Sequence, residues 1–384
     1  MTASNGDKTS GLDSIEKLAR LRLIRSENVG PITFFKLLER FKTAKDALNA
    51  LPSLAKNGGR EARLKVYPQS KAEDEIANVE KSQVAMVHWG EPMYPRLLVH
   101  IDDPPPILFV RGHTSLLTKK AVGFVGSRNA SINGRRFAQA TAKAIGEAGY
   151  LIVSGMARGI DAAAHEGSLA TGTLAILGGG VDVVYPREHR KLYDELLEKG
   201  AVCSEVPLGV TPQARHFPRR NRIISGISRG VVVLEAGARS GSLITARMAL
   251  EQGREVFAVP GSPQDPRVKG TNMLIRQGAQ LTENAADVIE TLGGMMPCSL
   301  AERRQDSLLH QREVPVNDTE NDTDVEHARE QIITLLDYGP TDTDEIIRAG
   351  DIHAGTVATV LLELELAGRL ERHNGNRVSL ISPE

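Results

Sequence analysis

Seven short runs of consecutive apolar residues dominate the middle of this chain: "ILFVRG", "AVGFVG", "YLIVSG", "GTLAILGGG", "AVCSEV", "GVVVLEAG" and "EVFAVPG". They lack the alternation of a strand with one wet face, so they read as strands covered on both sides. Helical patterns such as "RRFAQATAKAIGEAG", "DAAAHEGSLATG" and "SLITARMALEQG" lie between them. Repeated strand–helix units predict a Rossmann-like, doubly wound α/β domain with a mostly parallel sheet over residues 84–294. In such a sheet ligands bind beyond the C-terminal strand ends, near the point where the strand order reverses. The residues that follow each run therefore matter most for function.

The flanks differ. "SIEKLARLRLI" and "GPITFFKLLERF" carry apolar residues at helical spacing, with Pro31 suited to a first turn, so residues 1–83 read as a small helical domain. Residues 295–326 are polar, end in Asn, Asp and Thr, and read as a linker. Residues 327–384 resume helical patterning and close on two short strands around Asn374 and Gly375, a hairpin signal, which together suggest a winged helix.

The 47 basic and 48 acidic residues nearly cancel, so an anionic ligand must be held by a local patch. Cys203 and Cys298 are in no metal-ligand spacing, and a reduced cytoplasmic compartment is the simple reading. The polar start "MTASNGDKTSGL" is no secretory signal, and no apolar run approaches the roughly 20 residues that span a bilayer, so no membrane association is expected.

Five stretches could hold an anion. Gly126, Ser127 and Arg128 follow a strand and precede a helix near Asn133 or Gly134, where free N–H groups attract phosphate; a plain strand-to-helix turn is the alternative. Arg158 leads into a helix that opens on Asp161. That carboxylate reads as a helix-start stabiliser, and His165 as a packed helix residue. Gly178 to Gly180 permit close approach to the backbone or simply make a tight turn. "HFPRRNRIISGIS" crowds Phe217, Arg219, Arg220, Asn221 and Arg222 into a helix start. Cations there oppose the helix dipole, an arrangement an anion would relieve, while a phenyl ring stacks a base. Gly241 and Ser242, with Thr245 one turn on, form another phosphate-friendly turn, ordinary serine capping being the alternative. The chain has no P-loop, no dinucleotide fingerprint, no G-x-S-x-G elbow and no metal-ligand cluster, which points to binding without a metal or cofactor rather than to chemistry.

"GSR" at Gly126, "SGMARGIDAAAH" from Ser154, "LGGGVDVVYP" from Leu177, "SEVPLG" from Ser204, "FPRRNRIISGIS" from Phe217, "EAGARSGSLITARMALEQGREVFAVPG" from Glu235 and "GTNMLIRQGA" from Gly270 follow in order. Together they resemble the DprA/Smf family of bacterial DNA-processing proteins across the whole α/β domain. The resemblance implies a sterile-alpha-motif-like N-terminal module and a C-terminal winged helix. It also implies a non-catalytic homodimer that binds single-stranded DNA and helps load the RecA recombinase in natural transformation. It places the DNA site at Arg128 and at Phe217, Arg220, Asn221 and Arg222, with a further basic residue at Arg187 or Arg215.

Two rivals stand beside this reading. Nucleotide phosphoribohydrolases use a similar scaffold, but their P-G-G-x-G-T-x-x-E signature is replaced in this chain by "GARSGSLITA". A winged-helix regulator of duplex DNA would use "HAGTVATVLLELELA", which has no Lys or Arg and carries Glu363 and Glu365, groups that repel phosphate. "SENVGPITF" resembles a helix-hairpin-helix turn but lacks its second glycine, so the N-terminal module is expected to be structural or protein-interacting, and the C-terminal module, with its acidic helix, protein-contacting or regulatory.

Overall fold

The computed structural model describes residues 12–60, 62–294, 322–373 and 375–381. They fall into two compact units, residues 76–294 and residues 12–75 with 322–381.

The second unit joins the N-terminal and C-terminal segments in one compact body. Helices α1 (Ser14–Arg25), α2 (Pro31–Phe41) and α3 (Ala44–Asn57) bring Phe34, Leu37, Leu48, Leu51 and Leu54 into one core. α4 (Gln69–Lys81) follows them.

The larger unit is a nine-stranded sheet: β1 (Ala85–His88), β2 (Ile107–Gly112), β3 (Ala121–Gly126), β4 (Leu151–Ser154), β5 (Thr173–Ile176), β6 (Ala201–Ser204), β7 (Ser228–Leu234), β8 (Glu255–Ala258) and β9 (Gln280–Leu281). All seven apolar runs are strands. The short edges β1 and β9 have no comparable run, and the sequence reading missed them. The order is β1-β2-β6-β5-β4-β3-β7-β8-β9. β2 pairs antiparallel with β1 and with β6, and every pairing from β6 to β9 is parallel.

Alternate residues build two cores, as the period of a strand requires. Val122, Phe124, Ile152, Val232 and Leu234 pack against α5 (Ile132–Glu147), α6 (Ile160–Ser168) and α11 (Ala285–Gly294). Val125, Val153, Ile176, Val231 and Val233 pack in the other core with α8 (His216–Ile227), α9 (Gly241–Glu251) and Leu274 of α10 (Lys269–Arg276). α7 (Arg190–Lys199) lies between β5 and β6 in the chain. The chain moves outward from β3 through β4 and β5 to β6, then returns to the other side of β3 as β7. β3 and β7 thus flank the reversal point.

The end of the chain adds α12 (Asp322–Leu335), α13 (Thr343–Gly350) and α14 (Ala354–Leu366), and the three-stranded sheet of β10 (Thr341–Asp342), β11 (Leu370–His373) and β12 (Arg377–Leu380). Residues 295–321 of the expected linker lie outside the described residues, as does Asn374 of the expected hairpin turn; the linker's last five residues instead open α12. The strands expected around the turn pair from Leu370↔Leu380 to His373↔Arg377. α14 is shared by two cores. Val357, Val360, Leu361 and Leu364 pack with Ile332, Ile346, Leu370 and Val378, whereas Leu362 and Leu366 join the α1–α3 core. The backbones of α3 and α14 meet so closely that a Cβ on Gly58 would lie 2.1 Å from the Glu363 carbonyl oxygen.

Candidate nucleic-acid interface

The site begins where β3 and β7 end. A Cβ on Gly126 would lie 2.2 Å from the Leu234 carbonyl, so only glycine lets the two strand tips leave side by side. Ser131 caps α5, its hydroxyl accepting from the Gly134 amide at 2.9 Å. Glu235, in left-handed backbone (φ 45°), sends its carboxylate across from β7. It accepts from the Ser131 amide at 2.8 Å and from the Ser131 hydroxyl. The start of α5, which the sequence reading offered to phosphate, is thus filled by the chain's own anion. Arg128, in the loop just before it, is exposed and has no ion pair among the described residues. Its guanidinium carbon lies 5.3 Å from the centre of the Phe217 ring.

The arginines of α8 divide by helical phase. Arg219 is exposed, while Arg220 and Arg222 are buried. Arg220 donates to the carbonyls of Gly155 at 2.6 Å and Ile176 at 2.7 Å, and to Asn221 Oδ1 at 3.1 Å. It thereby ties together the C-terminal ends of β4 and β5. Burial lowers its pKa, the Asp161 carboxylate opposes that shift, and Arg128 adds to it. Burial raises the Asp161 pKa, an effect opposed by Arg220 and by the amides of Ala157 and Gly155, each donating to its carboxylate at 3.2 Å. Arg222 donates to the Asp103 carbonyl at 2.5 Å and pairs with the carboxylates of Asp103, at 3.2 Å, and Glu205. The cations that seemed unfavourable at a helix start are therefore answered by strand-end carbonyls and carboxylates. For Arg220 and Arg222 no external anion is needed to explain them.

A cleft of about 620 Å³ opens over the reversal point. Ser127, Arg128, Asp161, Phe217, Arg220, Asn221, Gly241, Ser242 and Thr245 all line it, joined by Gly126 at the β3 tip. Arg158, Arg219 and Arg222 do not. Arg158 is exposed and paired with Glu188, one of its two hydrogen bonds measuring 2.8 Å. Among the lining residues described, Asp161 is the one carboxylate. At the start of α9, Ser240 caps the Ser242 amide, and a Cβ on Gly241 would meet nothing within 4 Å. The buried Thr245 hydroxyl has no hydrogen-bond partner among the described residues.

The structure adds residues that the sequence reading passed over. Arg239, exposed and without an ion pair among the described residues, lines the cleft from the β7–α9 loop. It stands inside "EAGARSGS", beside the Gly241 and Ser242 turn that suits phosphate, so it was legible. Arg267, paired with Asp265 at 2.7 Å, also lines the cleft, and nothing in its stretch marked it. Gly178 has a defined use: a Cβ there would lie 3.3 Å from Phe217 Cδ1, and the Phe217 ring packs against this glycine. His165 is packed as expected, bonded to the Thr173 hydroxyl at 2.8 Å, and burial pushes its imidazole down to about 3. No helix among the described residues is long and apolar enough to cross a membrane.

Comparison with known proteins places this geometry. Residues 85–293 match the family described as DNA recombination-mediator protein A, residues 14–78 the DprA-like N-terminal HHH domain, and residues 317–376 the DprA winged helix domain. Protein Smf of Escherichia coli is 37% identical over 319 residues, 82% of each chain. The DNA processing protein A structure from Streptococcus pneumoniae covers 72% of this chain and 98% of its own, with 34% identity and a TM-score of 0.61. That from Helicobacter pylori, described for its single-stranded DNA binding mode, covers 55% and 95%, with 29% identity and a TM-score of 0.51.

Proposed function

The chain belongs to the DNA recombination-mediator protein A family, also called DprA/Smf, and from that premise we propose that it binds single-stranded DNA without sequence preference in the cleft over β3 and β7 and delivers it to the RecA recombinase as a cytoplasmic homodimer, without turnover. The observation that carries the proposal is Arg128 poised beside the Phe217 ring at the reversal point of the sheet. A guanidinium that has no internal ion pair is available to a phosphate, and an aromatic ring beside it accepts any base, since every base has a π-face. Arg239 and the start of α9, where Gly241 carries no side chain and the Thr245 hydroxyl has no partner among the described residues, give further phosphate contacts. Arg220 and Asn221 act as positioning residues that hold α8 against the strand ends. Two features weigh against the rivals. Asp161, the one carboxylate among the described lining residues, accepts hydrogen bonds from two backbone amides and is not a free acid or base for nucleotide hydrolysis. The winged helix cannot present α14 to a duplex while that helix is buried in two cores.

Binding of fluorescent single-stranded and duplex oligonucleotides across a salt series tests the proposal. Single strands should bind more tightly, and affinity should fall as salt rises. Arg128→Ala should weaken binding by about 1.5–3 kcal/mol and reduce the salt slope by about 0.7. Equal affinity of wild type and a folded Arg128→Ala protein would remove the site from the cleft.

A further inference from the structure

Phe217 does not stand alone. The Tyr185 ring lies with its centre 5.9 Å from that of Phe217, tilted by 39°. It is 48% exposed. Tyr185 is not part of the cleft wall, whereas Phe217 is. The pair therefore runs from the cleft out onto the surface. Its lip is basic: Arg187, two residues further along in a short turn, is exposed and has no ion pair among the described residues. Arg158 is exposed and tied to Glu188 of the same turn.

The Tyr185 ring belongs to neither core of the sheet. Tyr193, in the same unit, is a structural tyrosine by contrast: it is buried and its hydroxyl donates to the Val181 carbonyl at 2.5 Å. Tyr185 has neither burial nor a hydrogen bond of its side chain among the described residues. Two exposed or half-exposed rings in contact, beside guanidinium groups without ion pairs, fit a flexible polyanion with flat groups at regular intervals.

Resting on the reading of the cleft as a single-strand site, we infer that Tyr185 is a second stacking platform, which takes the base next to the one on Phe217 and leads the strand out of the cleft toward Arg187. A single strand has the torsional freedom to set neighbouring bases on two rings inclined to one another, whereas a duplex, with its bases paired and stacked inside, does not. The second ring thus adds affinity and favours single strands over duplex without reading a base edge.

The test is a set of oligothymidylates of increasing length, measured by anisotropy against wild type, Tyr185→Ala, Tyr185→Phe and Phe217→Ala. Tyr185→Ala should weaken binding of the longer strands by about 5- to 150-fold, the range expected for one stacked base. The shortest strands, which occupy the cleft alone, should be unaffected. Tyr185→Phe keeps the ring and should bind as wild type does. A ring that only props Phe217 in place would instead weaken strands of every length equally, which would overturn the inference. Photocrosslinking with 5-iodouracil at successive positions gives an independent readout: adducts on Tyr185 itself are expected, and adducts confined to other residues would count against it. If Tyr185→Ala is silent while Phe217→Ala loses binding, the second platform is wrong and the cleft reading survives. If both are silent, the cleft reading fails as well.

Discussion

Helices α8 and α14 make the most instructive comparison in the molecule, since each occupies a place where a DNA-binding element is expected. α8 begins with a dense cluster of arginines at the tips of a parallel sheet. α14 occupies the recognition position of a winged helix and carries glutamates in place of arginines. In both, most of the charge is turned inward. Arg220 and Arg222 hold strand ends and carboxylates. Glu363 pairs with Arg329 at 2.8 Å, and Glu365 with Arg372 at 2.8 Å while accepting from the Thr33 hydroxyl at 2.7 Å. The difference is what surrounds them. α8 borders an open cleft into which neighbouring loops bring Arg128 and Arg239, free of ion pairs among the described residues. α14 is closed in on both sides. The suspected helix-hairpin-helix turn is closed in with it, because Asn28 in that turn donates to the Leu366 carbonyl at 3.0 Å. The two elements of this unit that could touch a duplex cover one another. A charged helix thus indicates a ligand only after its internal partners have been counted.

The comparison can be broken most sharply inside α8. Arg222→Ala should leave two carboxylates without their cation and destabilise the larger unit by about 3 kcal/mol or more, seen as a lower denaturant midpoint. Arg128→Ala should leave that midpoint unchanged within about 0.5 kcal/mol while weakening DNA binding. If the two variants behave alike in both assays, the division of α8 and its neighbours into structural and ligand-facing arginines is wrong.

In α14 the expectation is the reverse. Leu362→Ala empties a fully packed position in the shared core and should cost about 2–4 kcal/mol in the smaller unit, read by denaturation or by faster proteolysis of residues 12–75. Its single-strand affinity should match wild type. A loss of affinity with no loss of stability would make α14 a ligand-binding helix after all.

Acid separates the units more gently. His165 is held neutral in the larger unit, so the folded state resists a proton that the unfolded chain accepts below about 6.5. The stability it protects is present above that pH and is lost progressively toward its folded value of about 3. Between pH 7 and pH 5 the larger unit should lose on the order of 2 kcal/mol, a loss that His165→Asn should diminish. In the smaller unit Glu27, lowered chiefly by its hydrogen bond to Arg60, weakens only below the ordinary carboxylate value of 4.5. Denaturant midpoints of the two units measured across this range should diverge; parallel curves would show that His165 titrates normally.

The continuous apolar runs, read without any structure, determined the α/β architecture, because strands buried on both faces must be apolar throughout. The motifs placed Arg128 at a strand tip and Phe217, Gly241, Ser242 and Thr245 at helix starts, and these do meet in one cleft. α14 was also partly legible: "VATVLLELELAG" is apolar on nearly every side, which already implies burial all round. What the tertiary structure alone decided is how each charge is satisfied. Arg219, Arg220 and Arg222 look alike in the sequence, yet helical phase turns two of them inward, toward carbonyls and carboxylates supplied by residues 17 to 119 positions away. Glu235 filling the start of α5 from 104 residues away is equally invisible in the chain, as is the shared core of the two terminal segments. Local pattern fixes which elements form, since it reflects short-range geometry. The partner of a buried charge depends on which distant segments the fold brings within about 3 Å of it, and no local spacing carries that distance.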